Sequence, residues 1–121
     1  MKESKSMIKS EHYPHRTVTL RPGDTIWVTY LKPKNNPFSA TTLKRLFGWI
    51  NEQRYIGRVR EEAPRRGVCP NGRLVVDFYK ADERGKFQCT HVAYNIELMI
   101  VKGELRDLHY KPNPSPSLFD L

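Results

Sequence analysis

The chain has 121 residues, of which 38% are hydrophobic, and a formal net charge of +8. That length holds one domain with one modest core. The most apolar stretch, near Ile96 to Val101, is far too short to cross a bilayer, and the lysine-rich residues 1–10 lack the apolar centre of a secretory signal. The reading is therefore of a soluble, intracellular protein, with cytoplasm and nucleus not separated.

Residues 1–15 are polar and charged, without periodicity, and read as a flexible basic arm. A barrel domain is expected over 16–110. Thr17 to Leu20 is a short β-prone run. Arg21-Pro22-Gly23-Asp24 is a turn, because proline presets φ and glycine accepts a positive one. Thr25 to Leu31 alternates: Ile26, Val28 and Tyr30 share one face, Trp27, Thr29 and Leu31 the other. Pro33 and Pro37 end that strand. Ser39 to Gln53 breaks the β pattern. Ser39 or Thr41 can cap a helix, and Leu43, Leu46, Phe47 and Ile50 then fall on one apolar face. A short helical insertion over 40–53 is predicted, weakened by Gly48.

Strands resume at Arg54 to Glu61, where Tyr55, Gly57 and Val59 alternate with Ile56, Arg58 and Arg60. Glu62 to Gly72 is a loop closed by an Asn71-Gly72 turn pair. Arg73 to Lys80 is a strand with Leu74, Val76 and Phe78 on one side and Val75, Asp77 and Tyr79 on the other. Ala81 to Gly85 is a hairpin turn, and Lys86 opens another strand. From Val92, the alternation of Val92, Tyr94, Ile96, Leu98 and Ile100 predicts more strand, with Asn95 marking a bend. Pro112, Pro114 and Pro116 make residues 111–121 an extended, polyproline-like tail. The whole is mainly β: five short strands closing into a small barrel, which removes the edges an open sheet would expose.

Pro22-Gly23-Asp24-Thr25-Ile26-Trp27-Val28 resembles the opening strand of SH3-like barrels, as in integrase C-terminal domains. Arg54-Tyr55-Ile56-Gly57-Arg58-Val59, followed by Val75-Val76-Asp77-Phe78-Tyr79, resembles the second and third strands of Tudor-like members. The resemblance spans residues 20–101, with the helix at 40–53 as an insertion. An OB-fold is the rival architecture. Resemblance to these barrels implies binding. Integrase-type barrels lay basic residues along DNA; Tudor-like ones hold methylated lysine or arginine in an aromatic cage. The candidate cage here is Trp27, Tyr30, Tyr55, Phe78 and Tyr79 with Asp77 as its acid, each ring being better suited to packing in the core or at its rim.

Charge placement favours nucleic acid, DNA or RNA. Residues 1–34 carry a net +4, residues 54–86 another +4, and residues 87–121 a net −1. Arg58 and Arg60 project from one strand face, Arg54 precedes them, Arg65 and Arg66 sit in the next loop, and Arg73 opens the next strand. Lys32, Lys34, Lys44 and Arg45 could extend the patch. Arginine forks suit phosphate oxygens, and exposed Tyr or Trp among them would favour single strands. The competing reading is an ion-paired sheet surface in which Glu61, Glu62 or Asp82 neutralises the arginines. No recognition helix is evident, so sequence-nonspecific backbone contact is expected.

Cys69 and Cys89 form neither a disulfide framework nor a zinc ribbon. With His91 they would supply three metal ligands, and no fourth stands at zinc-finger spacing, so no metal or cofactor is expected. Cys89 and His91 share a strand face, but no phosphate-binding loop, dinucleotide turn or His-Glu-x-x-His is present, and the chain reads as a non-enzyme. The alternative function is a protein-interaction module, either a methyl-lysine or methyl-arginine reader or an adaptor. The adaptor would dock through Leu118, Phe119 and Leu121 of the terminal Ser-Leu-Phe-Asp-Leu peptide, which resembles clamp-binding motifs of bacterial replication partners without their leading glutamine.

Overall fold

Apolar–polar alternation builds most of the sheet in the places it predicts. The computed structural model describes residues 8–9 and 17–113. Its elements are β1 (Ile8–Lys9), β2 (Thr17–Val18), β3 (Thr25–Tyr30), α1 (Ala40–Phe47), β4 (Arg54–Glu62), β5 (Arg73–Lys80), β6 (Phe87–Val92), α2 (Ala93–Lys102) and β7 (Leu105–Lys111). The protein is mainly β. β1 and β2 pair as a small antiparallel ribbon lying beside α2. The other five strands form one antiparallel sheet in the order β6-β5-β4-β3-β7. Closure was expected, but β6 and β7 are the two edges of this sheet and do not pair with each other. Apart from Ile8–Lys9, the expected arm at 1–15 lies outside the described residues, as do Leu118, Phe119 and Leu121.

One face of the sheet is packed. Ile26, Val28 and Tyr30 of β3, Tyr55 and Val59 of β4, and Val76 and Phe78 of β5 are all buried in a single core with Leu43, Trp49, Ala93, Ile96, Ile100 and Leu105. Gly57 sits in the middle of this face. A Cβ there would stand 2.8 Å from both Phe78 and Val76, so only glycine lets those side chains meet over β4. Trp49 is the centre of the aromatic packing. Its ring stacks on Tyr30 at 5.2 Å and on His91 at 4.9 Å, and meets Tyr55 and Phe78 edge-on at 5.3 and 5.1 Å.

The helical insertion is shorter than the predicted 40–53. Ser39 caps it by accepting a hydrogen bond from the Thr42 N–H, and Gly48 ends it with φ of 81°. A side chain at Gly48 would also strike Cys89, 2.6 Å away, so the stop is steric as well as conformational. Because the helix stops there, Ile50 is not on it. Only Leu43 of the expected apolar face is buried in α1, and Leu46 and Phe47 stay exposed. Beyond Gly48 the Tyr55 hydroxyl donates to the Gly48 carbonyl and accepts from the Ile50 N–H, which directs Trp49 inward.

The strand predicted from Val92 is instead a helix. Ala93, Ile96, Glu97, Ile100 and Val101 are its buried residues, a spacing of three and four. Tyr94, placed by alternation with Ile96, is exposed. Glu97 is buried, and its carboxylate accepts from the Leu20 N–H at 2.8 Å, tying the segment before β3 to α2. α2 then leads to β7, a strand that the alternation did not predict. β7 carries a bulge opposite Trp27–Thr29, where Asp107 adopts φ of 54°, a conformation aspartate tolerates better than most residues.

Asp24 ties the start of β3 to the end of its neighbour β7. It is buried, and its carboxylate accepts from the Arg21 N–H, the Tyr110 hydroxyl and the Asn113 N–H at 2.9, 2.6 and 2.9 Å.

Candidate nucleic-acid interface

Strand periodicity turns every second residue to the face opposite the core. The register aligns these residues into rows that cross the sheet. His109, Trp27, Ile56, Tyr79 and Phe87 oppose one another in turn across β7, β3, β4, β5 and β6. Their rings confirm the alignment: Trp27 and His109 are 5.1 Å apart, and Tyr79 and Phe87 are 5.6 Å apart. Trp27, Ile56 and Tyr79 are half-buried, whereas His109 is exposed and Phe87 is 54% exposed. They make a band of rings and apolar surface across the whole width of the sheet.

Cations flank the band on both sides. One flanking row reads Lys111, Thr25, Arg58, Asp77, Thr90. On the other side lie Arg106, Thr29 and Arg54. Arg54 donates to the Thr29 hydroxyl at 3.0 Å and to the Asp107 carbonyl at 2.8 Å, which lays it across β3 towards β7. Arg58 faces Asp77 in register, yet Asp77 is engaged elsewhere. Arg60 forks onto both its oxygens at 2.6 and 3.3 Å, and the Thr90 hydroxyl donates to it at 2.7 Å. Arg58 and Lys111 are exposed, and their side chains make no hydrogen bond or ion pair among the described residues.

The remaining basic candidates are dispersed. Arg73 pairs with Glu62 at 2.6 Å, and Arg65 reaches the same carboxylate at 3.8 Å. Arg66 is exposed in the loop. Lys32 and Lys34 line a cleft of about 640 Å³ with Lys102, Arg106, Glu52 and Glu104. Lys44 and Arg45 lie in the last turn of α1, where cations suit the helix dipole. The predicted patch thus divides: Arg54, Arg58, Arg60 and the Glu62-paired Arg73 lie on the outer sheet face, Arg65 and Arg66 in the adjoining loop, Lys32 and Lys34 in a cleft that Arg106 also lines, and Lys44 and Arg45 on α1. Arg106, Lys111, His109 and Phe87 join the sheet-face group without having been singled out in the sequence.

The proposed cage does not assemble. Tyr30, Tyr55 and Phe78 are 2%, 0% and 0% exposed and point to the core, while Trp27 and Tyr79 point to the other face. A cation cannot reach rings on both faces of one sheet, and Asp77 is already held by Arg60 and Thr90. Burial pushes the Cys89 thiol up to about 12, which keeps it protonated at neutral pH. The His91 ring is half-buried, which lowers its pKa, and its Nε2–H donates to the Phe47 carbonyl at 2.8 Å. No group of three or more His, Cys, Asp or Glu that could hold a metal occurs among the described residues, and no described helix is long and apolar enough to cross a membrane.

The ion pairs on this face set an acid limit on stability. Burial alone would raise the Asp77 carboxyl, but the hydrogen bonds from Arg60 and Thr90 and the Arg60 charge outweigh it and hold it low. Glu62 is held low chiefly by its hydrogen bond from Arg73. Each carboxyl binds its proton more weakly when folded. Their contribution is therefore present above the unfolded pKa and lost as pH falls through the folded one. Glu97 acts in the opposite sense: burial raises it, so its contribution is full below the unfolded pKa and lost as pH rises through the folded one. Melting scans from neutral pH to about pH 3 should show a falling Tm below about pH 4.5, with a shallower fall in Asp77→Asn. Parallel curves for the two proteins would show that Asp77 does not carry the acid limb. No protein-family model matches this chain, and no curated protein or solved structure matches it either.

Proposed function

We propose that this chain is a non-enzymatic nucleic-acid-binding domain of SH3-like type that contacts the phosphate backbone through the solvent face of its sheet. The observation that carries the reading is the row holding Arg58 and Lys111, two exposed cations whose side chains have no partner among the described residues, beside the aromatic band. A net charge of +8 supports it, because each phosphate neutralised releases counterions. The strand order favours the SH3-like architecture over the OB-fold. β3 to β6 follow one another as a simple meander and β7 returns beside β3, whereas an OB-fold is a Greek-key barrel.

The test is binding of labelled DNA and RNA oligonucleotides by fluorescence anisotropy across a salt series. Affinity should fall steeply with salt. Arg58→Gln combined with Lys111→Gln should weaken binding about tenfold and reduce the salt slope by about 1.4–1.8, or 0.7–0.9 per lost contact. Neither side chain makes a hydrogen bond or ion pair among the described residues, so the variant should melt like the parent. Salt-independent binding, or none, would sink the proposal.

One observation favours a second reading, a protein-interaction module. Phe38, Leu46 and Phe47 are 40%, 60% and 37% exposed around α1, and the Phe38 and Phe47 rings lie 5.6 Å apart. Leu46→Ser with Phe47→Ser should then abolish partner capture while leaving oligonucleotide affinity unchanged.

A further inference from the structure

We infer that the preferred ligand of this face is a single strand, whose bases stack on the band formed by Trp27, Ile56, Tyr79, Phe87 and His109. The inference rests on the nucleic-acid reading above and specifies its substrate class.

Three features of the face argue for it. The first is the order of the rows: the band lies between cations, with Arg58 and Lys111 on one side and Arg54 and Arg106 on the other. A single strand presents phosphates along one edge and flat apolar bases along the other, and that profile fits cations beside rings. The second is the mismatch with a duplex. A duplex offers a sheet face only phosphates and groove edges, because its bases are stacked inside. Laying charged phosphates over Trp27, Ile56 and Tyr79 would desolvate them against apolar surface with nothing to bond. The band itself is built of strand residues, with no helix among them to enter a groove.

The third is exposure. Cross-strand pairing of rings stabilises a sheet, and that accounts for Trp27 against His109. It does not account for Phe87, which meets Tyr79 at 5.6 Å on an edge strand yet leaves 54% of its surface in water. With strands about 4.8 Å apart the band runs about 19 Å, room for a few nucleotides. Arg58 has its planar guanidinium free to bond a phosphate or to lie on a base.

The two tryptophans make the test direct. Trp49 is 4% exposed and enclosed by Tyr30, Tyr55, Phe78 and His91, so a ligand on the outer face reaches only Trp27. The full chain is titrated with oligothymidylate and oligouridylate of about twelve nucleotides, and with a duplex of the same length, at one fixed salt concentration. The single strands should quench tryptophan emission and bind at least about tenfold tighter than the duplex. Phe87→Ser should weaken single-strand binding about fivefold or more and leave duplex binding unchanged, and Trp27→Phe should remove the quenching while retaining the preference. Phe87 is exposed enough that its replacement leaves the core intact.

A duplex that binds as tightly as the single strands, with no quenching, overturns the inference and leaves backbone contact standing. Failure of both ligands to bind removes both readings, and points to a protein as the occupant of this face.

Discussion

Replacing Trp49 with alanine is expected to destabilise the protein by about 3–5 kcal/mol, the range for deleting a large aromatic from a core. The residue lies one position beyond Gly48, which ends α1, and is the point where the insertion meets the sheet. Its ring contacts Tyr30, Tyr55, Phe78 and His91, which come from β3, β4, β5 and β6. Truncation therefore opens a cavity that no single neighbour can fill, and leaves His91 without its stacking partner. Small domains are stable by only about 5–15 kcal/mol, so the variant should sit near its unfolding midpoint in mild denaturant. Urea titration followed by far-ultraviolet circular dichroism measures it without relying on the removed fluorophore. Trp49→Phe should recover more than half of the loss. A loss below about 1 kcal/mol for the alanine variant would mean that the insertion does not close the core.

Asp24→Ala is the second large effect, expected at about 3 kcal/mol. The carboxylate accepts three hydrogen bonds, and bonds to a charged acceptor are each worth about 1.5–3 kcal/mol. They are not independent, and Tyr110 and the Arg21 backbone can partly turn to water, which keeps the total near the value of one or two. Tyr110→Phe removes one bond and should cost about 1.5 kcal/mol, the low end of that range because the phenol is partly exposed. The Tyr110 phenol is pushed up to about 12, by burial first and then by Asp24, so it stays a donor through the physiological range. Denaturant titration of the two variants decides: an Asp24→Ala loss no larger than that of Tyr110→Phe would mean that the carboxylate does not hold the start of β3 to the end of β7.

The parts of the fold that could be read from the sequence are those where one face is packed and the other solvated. Thr25 to Leu31, Arg54 to Glu61 and Arg73 to Lys80 alternate for that reason. α2 was misread because its apolar residues satisfy two periods at once. Ile96 and Ile100 are four apart, which suits a strand face and a helix face equally. Glu97 hid the helical pattern, since an acid at a core position looks like a break until the Leu20 N–H is seen to satisfy it. With α2 read as strand no place remains for β7, so Arg106, His109 and Lys111 are not placed on the outer face beside Trp27 and Arg58. Parity alone puts Arg58 and Arg60 of β4 on one face, and the same parity divides the aromatics. Tyr30 alternates with Val28 and Ile26, and Phe78 with Val76, so both belong to the core face. Trp27 and Tyr79 fall on the other face with Arg58. What no periodicity conveys is which acid each arginine has already taken: Asp77 belongs to Arg60 and not to Arg58, its neighbour in register.

The bulge at Asp107 changes the reading frame of β7. Counting by twos from Arg106 would send His109 inward and Tyr110 outward. The extra residue reverses both: Arg106 opposes Thr29 while His109 opposes Trp27, on the same face, and Tyr110 opposes Ile26 on the core side. One backbone unit thus keeps a cation and a ring on the outer surface while it delivers the phenol to Asp24. Substitutions along β7 change one face at a time, but loss of a single residue there would exchange the two faces together, removing the latch to Asp24 and the proposed binding face in one step.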